Sequence, residues 1–145
     1  MTVDVEMDPC ELCKENQAQT HNTPGYDGIH QSCPRCGDFK ITGTALSILN
    51  RGVGKQNRAK LSGWSLDQNR AGALPVISSN SMDKILNRPL PTVIERATRL
   101  LKEASFGQTK LGQTFNINEP RFLSATYSQD SNEISFLLKL LSDQE

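Results

Sequence analysis

Residues 33–42 read CPRCGDFKIT, and this stretch decides how the rest of the chain is read. Cys33 and Cys36 are separated by two residues, so one tight turn can aim both sulfurs at a single point. Gly37 follows, giving the backbone room for amides to approach the sulfurs. Beyond it Phe39 and Ile41 alternate with Asp38 and Lys40, the period-two pattern of a short strand. Upstream, Cys10 and Cys13 repeat the spacing. The full pattern is C-x2-C-x19-C-x2-C, and these are the four cysteines of the chain. Four thiolates at about 2.3 Å form a closed tetrahedral shell around zinc. The predicted ligands are Cys10, Cys13, Cys33 and Cys36, holding one structural zinc ion. The competing readings are two disulfides, four free thiols, and iron in a rubredoxin-like site, which also uses CPxCG. Lys14 stands where Gly37 stands in the other pair, which makes the first turn the less ideal one. A four-cysteine shell leaves no open coordination position, so the metal is expected to staple and not to catalyse. His21 and His30 fall between the pairs and are expected in the intervening loop, away from the metal.

The chain around this pattern has 145 residues, 36% apolar and 6% aromatic, with zero formal net charge. That allows one domain, or a small metal module joined to a helical one. The charge is unevenly spread. Residues 40–110 hold twelve lysines and arginines against four acidic residues, whereas residues 1–15 carry Asp4, Glu6, Asp8, Glu11 and Glu15 against Lys14. Such polarity predicts either a partner surface or one half packing on the other. No apolar run reaches the 18 residues or so of a membrane span, and MTVDVEMD has no signal-peptide core, so the expected location is the cytoplasm.

YDGIH is a plausible partner strand for DFKIT, with HNTPG as turn chemistry. Four helices have clear signals. TGTALSILN begins one near Thr44 that ends at Gly52 and Gly54; residues 55–70 form a second, with Leu61 and Trp64 inward and Gly63 weakening it. SSNSMDKILNRP gives a third, capped by Asn80 or Ser81, and LPTVIERATRLLKEASFG a fourth, with Val93, Ile94, Ala97, Leu100, Leu101 and Ala104 as its apolar stripe. LGQTFNI reads as a short extended piece. NEPRFLSATYS starts a helix with Asn118 as cap. DSNEISFLLKLLSDQE opens with Asp130 and Glu133 at capping-box spacing and is apolar on two faces, with Tyr127 as a staple before it. The last helix has no stop signal behind it, which predicts a chain that continues. The organisation predicted from the residues is α+β and mostly helical: a four-cysteine zinc ribbon with short strands over residues 1–43, then a helical domain over 44–145.

CPRCGDFKITGTA, KLSGWSLDQNRAG, RPLPTVIERATRLL and ATYSQDSNEISFLLKLL together resemble an N-terminal region of bacterial multidomain proteins. There a two-knuckle zinc ribbon precedes a helical segment ending in a winged-helix-like unit, and a separate effector often follows, sometimes a Toll/interleukin-receptor-like domain used in anti-phage defence. The resemblance covers almost the whole chain. It implies a sensor or adaptor that recognises a protein partner, a second copy or a ligand, with any catalysis in a C-terminal part.

The alternative is a nucleic-acid-binding regulator using Arg51, Lys55, Arg58, Lys60 and Arg70, with Arg88, Arg96, Arg99 and Lys102 extending a basic face. An enzyme is the third reading. His21-Asn22 is the nearest thing to the histidine pair of an HNH nuclease, no histidine lies beyond residue 30, and GVGKQN does not match a phosphate loop. The residues predict no catalysis in this chain and no membrane partner.

Overall fold

The computed structural model describes residues 5–106 and 116–143. It is a mixed α+β protein with a five-stranded sheet and six helices. Strands β1 (Val5–Pro9), β2 (Gln17–His21), β3 (Gly28–Cys33) and β4 (Gly37–Thr42) form an antiparallel meander, and β5 (Val76–Ile77) joins parallel to β4. The predicted DFKIT strand is β4, and Phe39 and Ile41 are fully buried, alternating with exposed Asp38 and half-buried Lys40 and Thr42. β3 is the expected partner, in register Ile29 to Ile41 and Gln31 to Phe39.

Two strands had no clear signal. β1 alternates Val5 and Met7 with Glu6 and Asp8, a period-two pattern masked by its acidity, whereas β2 is the polar QAQTH and carries none. Their order comes from pairing with each other and with β3. His21 and His30 are therefore not in a loop. They face each other across β2 and β3 with ring centroids 4.5 Å apart, and His21 Nε2 lies 2.7 Å from the Ser32 hydroxyl.

The helices are α1 (Gly43–Asn50), α2 (Lys55–Arg70), α3 (Ser79–Leu86), α4 (Val93–Ser105), α5 (Arg121–Ala125) and α6 (Ser131–Ser142). The Thr42 hydroxyl caps α1 by accepting from the Ala45 amide at 3.3 Å. α3 is capped by Ser78, not by Asn80 or Ser81. β5 ends immediately before it in extended backbone, and Ser78 and Ser81 close a reciprocal capping box. α5 begins after Pro120, later than an Asn118 cap implies. Asp130 caps α6, but Glu133 reaches the Gln129 amide and Arg96 and not the Asp130 amide. The extended piece expected at LGQTFNI lies almost wholly outside the described residues.

Two apolar clusters hold these elements together. The first contains the four cysteines, Leu12, Ala18, Phe39, Ile41, Ala45, Leu49, Leu61, Ile77, Met82 and Ile85. It crosses residue 43 without a break, because α1, α2 and α3 cover the sheet that carries the cysteine turns. The second cluster is Ala97, Leu100, Ala104, Phe122, Ile134 and Leu137, shared by α4, α5 and α6. The buried face of α4 differs from the predicted stripe: Val93, Ile94 and Leu101 are exposed, and Glu103 is buried. Glu103 is tolerated inside because Arg70 and Arg121 both donate to its carboxylate.

Candidate metal centre

Both cysteine turns have the same backbone form. Gly37 has φ +80° and Lys14 has φ +61°, so the residue after the second cysteine is left-handed in each turn. Glycine adopts that conformation freely and lysine at a cost of about 1 kcal/mol. The Lys14 amide nonetheless donates to the Cys10 carbonyl at 2.8 Å, closing the first turn, and its ammonium pairs with Glu11.

The turns converge. Cys10 and Cys36 Sγ are 3.7 Å apart, Cys13 and Cys33 Sγ 3.9 Å, and all four sulfurs lie within 4.8 Å of one another. A disulfide holds its sulfurs at about 2.0 Å, so these are not bonded pairs. A tetrahedral ion with metal–sulfur distances of about 2.3 Å has sulfur–sulfur edges of about 3.8 Å, which the two pairs match. Each cysteine is 5% exposed or less, so water has little access to a captured ion.

The four buried thiols perturb one another's ionisation. The Cys10 thiol beside them holds Cys13 and Cys33 below the usual thiol range, and the same two neighbours push Cys10 above it. Burial pushes Cys36 up.

The surroundings orient the sulfurs. The Arg35 amide donates to Cys33 Sγ at 3.4 Å, and the Ser62 hydroxyl of α2 lies 3.1 Å from Cys36 Sγ. Ser65 donates to the Cys36 carbonyl at 2.8 Å. Ser62 in turn hydrogen-bonds Ser124 of α5. Arg35 lies inside the second turn, 3% exposed, and its guanidinium reaches Glu15 at 2.8 Å and the Ser128 carbonyl at 2.9 Å. A buried cation is well placed beside a four-thiolate site of formal charge −2. None of these partners carried a sequence signal beyond a serine or arginine on a helix or turn.

The five basic residues singled out from the sequence fare differently. Arg51 is exposed, and Lys55 lies 3.7 Å from Glu15. Arg58 donates to the carbonyls of Glu11, Leu12 and Leu49, clamping the first cysteine turn to the end of α1. Lys60 donates to the Leu86 carbonyl, and Arg70 is paired with Glu103 and lies over the Phe106 ring. Of the predicted extension, Arg96 holds Thr126, Ser128 and Glu133, and Arg99 makes a two-pronged pair with Asp67; Arg88 and Lys102 are exposed.

Fold and site together define an α+β protein with a buried four-cysteine cluster suited to a metal ion. No protein-family model, curated protein or solved structure matches the chain. Among the described residues, no helix is long and apolar enough to cross a membrane.

Proposed function

We propose that the four cysteines bind one structural zinc ion in a zinc-ribbon arrangement, and that the chain is a non-catalytic recognition module. Its role on this reading is that of a sensor or adaptor in the cytoplasm of a bacterium, the regulatory part of a defence-type effector. The observation that carries the zinc assignment is the sulfur geometry: buried, converging from two turns of equal form, with edges near those of a tetrahedral thiolate site. Closed coordination supports a non-catalytic ion. The nucleic-acid alternative is less favoured, since Arg58, Lys60 and Arg70 spend donors on internal acceptors.

The test is chelation. A structural zinc site contributes about 10–16 kcal/mol of apparent binding energy, comparable with the whole stability of a domain. Removing the ion should abolish cooperative melting of the sheet and the helices that share its core, α1 to α3, with zinc restoring it at one equivalent per chain. Cys36→Ser should behave like the stripped chain. An unchanged circular dichroism spectrum and melting curve after complete metal removal would refute the assignment.

A further inference from the structure

One face of α4 is left uncovered among the described residues. The helix buries Ala97, Leu100 and Ala104 in the second cluster. A different line, Ile94, Thr98, Leu101 and Ser105, is exposed, with Ile94 at 73% and Leu101 at 58%. Steps of four, three and four residues put these side chains on one strip of the helix surface.

The two polar members of the strip are satisfied within the helix. The Thr98 hydroxyl donates to the Ile94 carbonyl at 3.0 Å, and the Ser105 hydroxyl to the Lys102 carbonyl at 2.6 Å. A hydroxyl bonded to its own helix can be buried without leaving its donor unmade. The strip runs about 16 Å at about 1.5 Å per residue, and over that length it behaves as an apolar surface.

Its flank carries charge in a fixed order. Glu95 follows Ile94 and Lys102 follows Leu101, so both stand on the same side of the strip. Both are exposed, and neither forms an ion pair among the described residues. Glu95 gives one oxygen to the capping bond from the Thr92 amide. Lys102 acts on Asp67 through space, but the Arg99 guanidinium already holds that carboxylate. The strip thus has a negative end and a positive end. An occupant with the reverse order fits both, whereas a uniformly acidic or basic one meets a like charge at one end.

A second α4 running antiparallel has that reverse order. A two-fold axis in the contact plane near Thr98 keeps each flank on its own side. It sets Ile94 of one copy against Leu101 of the other and Glu95 beside Lys102, each pair formed twice. The two helix dipoles then also oppose each other. We infer that this strip of α4 is a homodimer interface. The inference rests on reading the chain as a recognition module and names a second copy as its partner. So short a strip buries less than the roughly 800 Å² per partner of a standard interface, so the dimer is weak, with a Kd of about 10–100 µM.

Sedimentation equilibrium of the zinc-loaded full chain, from about 5 µM to about 1 mM, tests this. Zinc content and circular dichroism are measured on the same samples, so loss of the ion or of the fold is read apart from failure to dimerise. The parent should pass from monomer to dimer within that range. Ile94→Asp should weaken association about tenfold or more; the site is exposed and lies in the first turn of α4, where a carboxylate is favourable, so the variant keeps its fold. Lys139→Ala, on the exposed surface of α6, should leave association unchanged. Glu95→Lys and Lys102→Glu each bring like charges together twice, and each alone should weaken the dimer about threefold to tenfold at low salt. Mixed in equal amounts, the two variants should form a heterodimer about as tight as the parent, because both opposite-charge pairs return. Should circular dichroism show that Glu95→Lys has lost α4, Ile94→Asp alone decides. A folded, zinc-replete chain that stays monomeric at about 1 mM would overturn the inference. So would a dimer that Ile94→Asp leaves unchanged, or a mixture of folded variants no tighter than its separate components.

Discussion

Arg58 shows how one side chain can be read as a surface charge and turn out to be a clamp. Its guanidinium reaches the carbonyls of Glu11 and Leu12 at 2.9 and 3.1 Å and that of Leu49 at 3.2 Å. It joins the Gly52 amide as a donor to the Leu49 carbonyl at the end of α1 and fixes the first cysteine turn. Charge-assisted hydrogen bonds contribute about 1.5–3 kcal/mol each when their loss leaves partners unsatisfied, and these acceptors share one cation. Arg58→Ala is expected to destabilise the metal-loaded chain by about 2–4 kcal/mol in urea unfolding, whereas Arg51→Ala, on the exposed surface, should stay within about 0.5 kcal/mol. Equal effects of the two substitutions would show that the clamp does not form. His30 makes a second residue-scale prediction. Burial lowers its affinity for a proton, and the neighbouring His21 and Lys40 charges act the same way, against a smaller opposing effect of Asp38. The unfolded imidazole titrates at its ordinary value of 6.5, so between that and the lower folded value the unfolded chain holds more protons. The stabilisation is full above about pH 6.5 and is lost as pH falls through the folded value. Melting points taken at pH 7.5 and 5.5 should differ less for His30→Gln than for the parent; loss of metal in acid affects both proteins, and identical slopes would contradict the assignment.

At the scale of elements, α2 and the turn after α5 are fitted to each other through Gly63. Glycine inside an exposed helix usually costs about 0.5–1 kcal/mol relative to alanine. Here an added Cβ would stand 2.7–2.8 Å from three ring carbons of Tyr127. Gly63→Ala should therefore destabilise, by about 1–3 kcal/mol, the opposite of the helix-propensity expectation. A rise in melting temperature would mean that the ring does not rest on α2. This contact also marks the limit of what the sequence discloses. The bounds of α2 are legible because Gly54 and Gly72 punctuate it, and β4 is legible because Phe39 and Ile41 alternate with polar residues. Gly63 reads only as a weak point, since its reason lies at Tyr127, 64 residues away. The stripe of α4 misleads for a similar cause. Leu101 and Ile94 look inward by periodicity, but the inward position at Glu103 is filled by an acid that Arg70 and Arg121 neutralise. β2 escapes detection because its QAQTH has no apolar alternation and pairing with β1 and β3 orders it, while in β1 the alternation of Val5 and Met7 with Glu6 and Asp8 is legible but short. The convergence of the four cysteines was legible, since two C-x2-C turns aim their sulfurs at one point; the serines and arginines around them were not.

For the whole molecule, the uneven charge along the chain resolves largely into contacts between distant segments. Glu15 faces Arg35 and Lys55, Asp67 meets Arg99, and Glu133 meets Arg96. Arg35 joins the second cysteine turn to the Ser128 carbonyl, and Ser62 joins Cys36 to Ser124. The cysteine cluster is thus anchored to both apolar cores, through hydrogen bonds from its own turns. X-ray absorption at the zinc edge on the purified, reduced chain measures its central property directly. The account predicts one ion per chain with four sulfur neighbours at about 2.3 Å and no nitrogen or oxygen in the shell. Fewer than four sulfurs, a bound water, or less than a stoichiometric ion in reduced protein would contradict it.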